Sequence, residues 1–233
     1  MEAPNPETYL EGTVLYMDKP LTWTSFDLVN KVRKSLKYRL GIPKIKVGHA
    51  GTLDPLATGL VIICTGKATK QISQFQDLDK AYEARIRLGA TTPSLDLETE
   101  PDQTYPWEHI TREMAEQALE KFTGKQEQMP PLYSAKSVDG KRAYKMARKG
   151  KEITLRMQQI TIYKMDLLSF DPPDLTILVE CSKGTYIRSL ARDLGKELGS
   201  GAYLTGLRRT RIGPYQVSDA ISPGDFLKNL ELL

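Results

Sequence analysis

Apolar positions recur along this chain at two spacings, one near 3.6 residues and one near 2, and mark helices and strands in mixture. Leu15, Tyr16 and Met17 read as the end of a strand broken by Lys19-Pro20. Thr24, with Asp27 three residues on, is placed to cap a helix. That helix is expected to run to about Leu40, with Leu28, Val29, Val32 and Leu36 as its core stripe. A stretch from Gly48 to Gly59 reads as a loop, and Leu60 to Cys64 as a short buried strand. Tyr82, Ala84, Ile86 and Leu88 alternate with Glu83, Arg85 and Arg87, as on a half-covered strand. Residues 89 to 110 are polar and read as a connection. Thr111 opens a helix with Met114, Ala118, Leu119 and Phe122 as its stripe, ending before Gly124. Strands are expected over Ile160 to Leu168 and Leu175 to Cys181, joined by a turn at Pro172-Pro173, and Gly184 marks a further turn. A last long helix carries Ile187, Leu190, Ala191, Leu194 and Leu198 on one face and stops at Gly199. Such mixing predicts a sheet flanked by helices, and no repeat or Pro/Gly/Ser-rich linker divides the 233 residues, so one domain is expected.

Charge adds a local feature. The net charge is only +4, yet residues 121 to 156 hold ten Lys or Arg against three acids. Clustered cations suit a polyanion, because each one placed on a phosphate releases counterions. A solvated charged loop fits the same count. The two cysteines, Cys64 and Cys181, lie inside apolar strand-like runs and read as packed thiols, which suits a reducing compartment. No apolar stretch approaches the roughly 20 residues needed to span a bilayer, and the polar start does not read as a signal peptide, so a cytoplasmic protein is expected.

Among candidate motifs, the run from Gly48 to Gly59 is the most unusual. Its glycines permit sharp turns and close approach of a ligand, and Pro55 fixes the backbone just after Asp54. Asp before Pro is also a common turn initiator, so a plain structural turn and a chemical loop both fit. A phosphate-binding loop is excluded: Gly66-Lys67 lacks a glycine five positions earlier and is followed by Ala68. With two histidines, His49 and His109, and no cysteine pair at ligand spacing, metal chemistry is a poor fit, and a reaction without metal or cofactor is expected. No serine sits in a nucleophile-elbow pattern. In the run Cys181 to Arg188, an arginine in a helix's first turn opposes the helix dipole, which favours a functional role for Arg188 over a surface one.

Together these segments resemble the TruB family, bacterial tRNA pseudouridine synthases acting on uridine 55 of the T arm. The pieces are Asp18-Lys19-Pro20 with Thr24-Ser25; Gly48 to Gly59; Lys80-Ala81-Tyr82 with Leu88-Gly89; Pro130 to Ala135; Gly140 to Gly150; Cys181 to Arg188; and Leu207-Arg208-Arg209. The resemblance implies an α+β fold, a mixed and largely antiparallel central sheet flanked by helices, with a basic insertion over about residues 124 to 152 that clamps RNA. It implies Asp54 as the essential aspartate, Tyr82 stacked on the target uracil, and Arg188 as the residue that orients Asp54. It also implies substrate contacts from His49, Tyr186, Leu207 and Lys19, and from Lys141, Arg142 and Arg148 of the insertion. A buried structural role is the alternative for His49. Family members often carry glycine where this chain has Thr22, and many carry a further C-terminal RNA-binding domain, for which no room is expected here.

The partner implied is tRNA through its T arm, with no membrane and no obligate protein partner, and the enzyme is expected to be a monomer. Two other readings stay open: a non-catalytic RNA-binding or tRNA-folding module built on the basic segment, and a soluble protein-interaction domain. Turnover by the wild type but not by Asp54→Asn separates the first reading from both.

Overall fold

The computed structural model describes residues 5–133, 137–138, 141–142 and 155–231. Contacts gather in two compact units, a finer division than the single domain expected: Met1–Tyr82 with Arg208–Leu233, and Glu83–Leu207. The division falls inside two strands, β4 (Lys80–Leu88) and β12 (Ala202–Ile212).

The first unit begins with α1 (Pro6–Gly12), β1 (Val14–Lys19), α2 (Ser25–Arg39), β2 (Val47–Ala50) and β3 (Ala57–Thr65), and continues to α3 (Ile72–Asp77). Strand β3 is its spine. It runs antiparallel to β1, with Val14 opposite Cys64 and Lys19 opposite Gly59, and β2 pairs with its other edge, placing His49 opposite Ile63. The strand order is β1-β3-β12, with β13 (Tyr215–Gln216) on β12. Leu60 through Cys64 are fully buried on both faces, which explains why the run is apolar without alternation. Leu60, Ile62 and Cys64 share a cluster with Ala50, Ala68, Phe75 and Ile212. The closing helix α6 (Pro223–Glu231) adds Phe226, whose ring meets Tyr9 edge-on at 6.5 Å.

Helix α2 forms where the spacing predicts, with Leu28, Val29, Val32 and Leu36 buried. Its start is a complete capping box: the Asp27 amide donates to Thr24 Oγ1 at 3.0 Å, and the Thr24 amide donates to Asp27 Oδ2 at 2.9 Å. The Thr24 hydroxyl and amide hold the Asp27 carboxyl below its ordinary pKa. Thr24→Ala should therefore lower stability by about 1 kcal/mol, a drop of roughly 2–4 °C in melting temperature, read by thermal unfolding.

The second unit has strand order β12-β4-β11-β10-β7, where β7 is Gly124–Gln128, β10 is Gln158–Asp171 and β11 is Asp174–Cys181. The β10–β11 hairpin turns at Pro172-Pro173, and both β7 and β11 run antiparallel to β10. Short strands β5 (Ala90–Thr91) and β6 (Gln103–Thr104) make a ribbon inside the expected connection, and β8 (Ser137–Val138) pairs with β9 (Lys141–Arg142). Helices α4 (Arg112–Lys121) and α5 (Ile187–Glu197) complete the unit. The fold is α+β.

Several sequence expectations change. The loop expected over Gly48–Gly59 shortens to Gly51–Leu56, because β2 and β3 recruit its ends through pairing partners distant in sequence. Strands β7 and β12 and helix α6 lie outside the expected elements. On α4, Ala115 is buried and Met114 is 37% exposed, so the stripe turns toward the small residues. Gly124–Gln128, the start of the expected insertion, forms strand β7, with Gln128 opposite Gln158 of β10.

Candidate active site

Asp54 sits in the loop between β2 and β3, half-buried, at the first position of a β-turn. The Ala57 amide donates to the Asp54 carbonyl at 3.1 Å, and Pro55 presets the next φ. Both of its neighbours are tied to the chain just before and at the start of α2. The buried Leu53 amide donates to Ser25 Oγ at 2.8 Å, and that hydroxyl donates back to the Leu53 carbonyl at 3.2 Å. The Thr22 amide donates to the Pro55 carbonyl at 2.9 Å. Thr22 adopts φ of 70°, the left-handed region that glycine enters freely and a β-branched residue enters at a cost of about 1–2 kcal/mol. The turn that glycine would adopt freely is thus formed here at the expense of strain.

Lys19, a substrate contact by the family resemblance, is 0% exposed. Its ammonium donates to the carbonyls of Pro20 at 2.9 Å and Trp23 at 2.5 Å, and more weakly to that of Pro55 at 3.4 Å. It is committed to holding backbone, because three converging carbonyls offer a buried cation the donors' partners it needs. Burial pushes its pKa down to about 8, a shift partly opposed by the negative charge of Asp54 and reinforced by the positive charge of Arg209. Asp54 therefore stands in the field of a buried cation.

Arg209 is the residue that sequence reasoning missed in this unit. It is 1% exposed, and its guanidinium donates to the carbonyls of Leu60 at 2.7 Å and Gly51 at 3.2 Å, bracing the loop against β3. The arginine's own backbone explains Gly59: at φ of 105°, a Cβ there would come within 2.3 Å of the Arg209 carbonyl oxygen. Next to it, Arg208 forks onto both oxygens of Asp18 at 3.1 and 2.7 Å. The run Leu207-Arg208-Arg209 signalled charge, but burial of the second arginine depends on the β3–β12 pairing and leaves no local trace.

His49, on β2, is half-buried. Burial lowers its pKa, and its buried Nδ1 has no hydrogen-bond partner. Tyr82, at the unit's edge on β4, is buried on the same strand face as Ala84, Ile86 and Leu88.

In the second unit, Arg188 occupies the first turn of α5 and is 4% exposed. It donates from Nη1 to the Ser94 carbonyl at 3.0 Å and from Nη2 to the Tyr133 carbonyl at 2.7 Å, and its Nε stands 3.7 Å from Asp96 Oδ2. Asp96 is itself buried and fixed: its carboxylate accepts from the Glu98 amide at 2.9 Å, and its carbonyl accepts from the Thr92 and Ser94 hydroxyls. Asp96 has no prominence in the sequence, since it falls in a polar stretch that reads as a connection. Tyr186 precedes α5, and Gln128 grips its backbone from both sides, donating to the Tyr186 carbonyl at 3.0 Å and accepting from its amide at 2.8 Å. Leu207 is half-buried on β12. Lys141 and Arg142 lie on β9 with side chains outside the described residues, and Arg148 lies outside them altogether.

The family model described as TruB family pseudouridylate synthase (N terminal domain) matches residues 33–187, and that of the tRNA pseudouridylate synthase B C-terminal domain matches residues 188–232. The chain belongs to the TruB family. It is 59% identical over 218 residues to the tRNA pseudouridine synthase B of Phocaeicola vulgatus, covering 94% of this chain and 93% of that one. Against the protein of the same name from Flavobacterium johnsoniae it is 51% identical, covering 97% and 99%. Among solved structures, one titled as a crystal structure of a Cbf5-Nop10-Gar1 complex matches with a TM-score of 0.74 and 26% identity, over 97% of this chain and 56% of that one.

For this TruB-family chain, the motifs picked out in the sequence divide by unit. Gly48 to Gly59, Lys19 and the arginine pair build the first unit's loop; Cys181 to Arg188 builds the second unit's buried arginine. Among the described residues no group of three or more His, Cys, Asp or Glu is placed to hold a metal ion, and no helix is long and apolar enough to cross a membrane.

Proposed function

We propose that this protein is a tRNA pseudouridine synthase that isomerises uridine 55 of the T arm, with Asp54 as the catalytic carboxylate. One observation carries the reading: within a TruB-family chain, Asp54 is fixed through both its neighbours, Leu53 and Pro55, and lies in the field of the buried Lys19. Family membership supports an isomerase over the non-catalytic module.

The reaction breaks the N1–C1′ bond, turns the uracil and rejoins it through C5, with no net redox change. The base must first leave its stack, at a cost of a few kcal/mol that stacking on Tyr82 offsets. An ionised Asp54 then acts either as nucleophile toward the sugar or base, or as the base that removes a sugar proton. The charge of Lys19 acts on this carboxylate from within the same loop region. Tyr186 and Leu207 would form apolar walls for the base, and Lys141, Arg142 and Arg148 would meet phosphates. The buried, unpaired Nδ1 of His49 suits either of its two expected roles. The cytoplasm is the proposed compartment, and a monomer the proposed state.

Lys19 gives a pH signature. Its folded pKa of about 8 lies below the ordinary 10.5, so the proton is lost as pH rises through about 8. Between those two values the unfolded chain binds the proton and the folded one does not, so this residue's contribution to stability increases with pH. Activity should move the other way: Asp54 loses a neighbouring cation, and the rate should decline above about pH 8. Lys19→Met should be slower throughout and lack that alkaline limb. A rate profile over pH 6–10 for both proteins checks it, and an identical limb in Lys19→Met would remove Lys19 as its source.

A further inference from the structure

The function described above leaves one strongly charged surface unused. Residues 31 to 46 hold seven Lys or Arg and no acid. Lys34 and Lys37 are exposed on α2, Arg39 ends it, and Lys44 and Lys46 are exposed on the connection to β2. Among the described residues the ammonium groups of Lys34, Lys37, Lys44 and Lys46 form no ion pair. Tyr38, 75% exposed, presents its ring beside them, with Lys37 Nζ 5.4 Å from the ring centroid. The helix dipole accounts for cations in the last turn, Lys37 and Arg39, but not for Lys44 and Lys46, which lie beyond the helix. Arg33 differs from the rest: it is tied to Asn30 and to the Val47 carbonyl, and so fixes the helix against β2.

The patch is rigidly connected to the loop of Asp54 at both ends. At one end Ser25 of α2 is hydrogen-bonded to Leu53. At the other, Lys46 leads into β2, the strand that carries His49 toward Asp54. With a rise of 1.5 Å per residue, Lys37 stands about 18 Å along the α2 axis from Ser25. That distance exceeds the reach of a single extruded nucleotide.

We propose that Lys34, Lys37, Lys44 and Lys46, with Tyr38, form a docking strip for the RNA backbone away from the target uridine. This rests on the tRNA reading above. The strip contributes binding and orientation, with no part in bond making. Each phosphate contact on a duplex contributes about 0.9 to the slope of log affinity against log salt.

The test compares wild-type protein with Lys34→Glu/Lys37→Glu/Lys44→Glu/Lys46→Glu, and with the matching set of four Lys→Gln changes, on unmodified tRNA. All four side chains are exposed, and unchanged circular dichroism checks that the variants fold. Expected for the Glu set are a KM raised by about tenfold or more, a kcat within about twofold of wild type, and a salt slope smaller by about 3. The Gln set should lose a similar slope with a smaller rise in KM. An unchanged KM and salt slope in the Glu set overturns the proposal, as does a loss confined to binding of anionic phospholipid vesicles. Should wild type form no pseudouridine, the enzymatic reading fails, while the salt slope of tRNA binding still decides the strip.

Discussion

Asp54→Asn should abolish pseudouridine formation, with a rate loss of at least about 10³-fold, equivalent to about 4 kcal/mol of barrier, while tRNA binding and thermal stability stay close to wild type. Asparagine preserves the volume and the backbone of the turn. The backbone hydrogen bonds at this loop, through the Leu53 amide and carbonyl, the Pro55 carbonyl and the Asp54 carbonyl, are kept by asparagine. What is lost is the negative charge, and with it the group able to attack carbon or take a proton. The neutral side chain also removes the largest favourable charge acting on Lys19, so the Lys19 pKa should drop further. Mapping of pseudouridine by carbodiimide labelling on a tRNA transcript reads the first effect, and filter binding at fixed salt reads the second. Turnover retained by Asp54→Asn would falsify the assignment.

Arg188→Met should be damaging in two separable ways. Methionine fills much of the space but donates nothing to the Ser94 and Tyr133 carbonyls, and it leaves the buried Asp96 without the adjacent cation. Removing one partner of a buried pair costs about 3–5 kcal/mol, so denaturant unfolding should shift by that amount. Activity should also collapse, given the family role expected for this residue. The double variant Arg188→Met/Asp96→Asn separates the two effects. Asparagine keeps an oxygen for the Glu98 amide and removes the stranded charge, so most of the stability should return. Activity should not return with it. Parallel recovery of both would make Arg188 a stability residue alone.

Several parts of this picture are legible in the sequence. The capping box Thr24/Asp27 and the α2 stripe were readable because both depend on residues three or four apart. The alternation on β4 was readable because one face is buried and the other is not. Asp54 stood out because a carboxylate followed by proline, among glycines, signals a turn at short range. Arg188 drew attention through its conflict with the helix dipole, and its burial resolves that conflict through carbonyls and a carboxylate.

Other parts depend on pairings between residues far apart in the chain. Strand β7 is the polar sequence Gly-Lys-Gln-Glu-Gln, and only β10 makes it a strand. Asp96 acquires its importance from an arginine 92 positions later, and Arg209 from carbonyls of the loop and of β3. Lys19, a substrate contact by the family resemblance, owes its burial to three backbone carbonyls and the surrounding core, which no local pattern announces. The sequence by itself determined the local elements, the position of the turn at Asp54 and the family. Tertiary structure decided which cations are buried as supports and which are left exposed for a polyanion, since the desolvation of a charge is set by neighbours that the chain brings in from a distance.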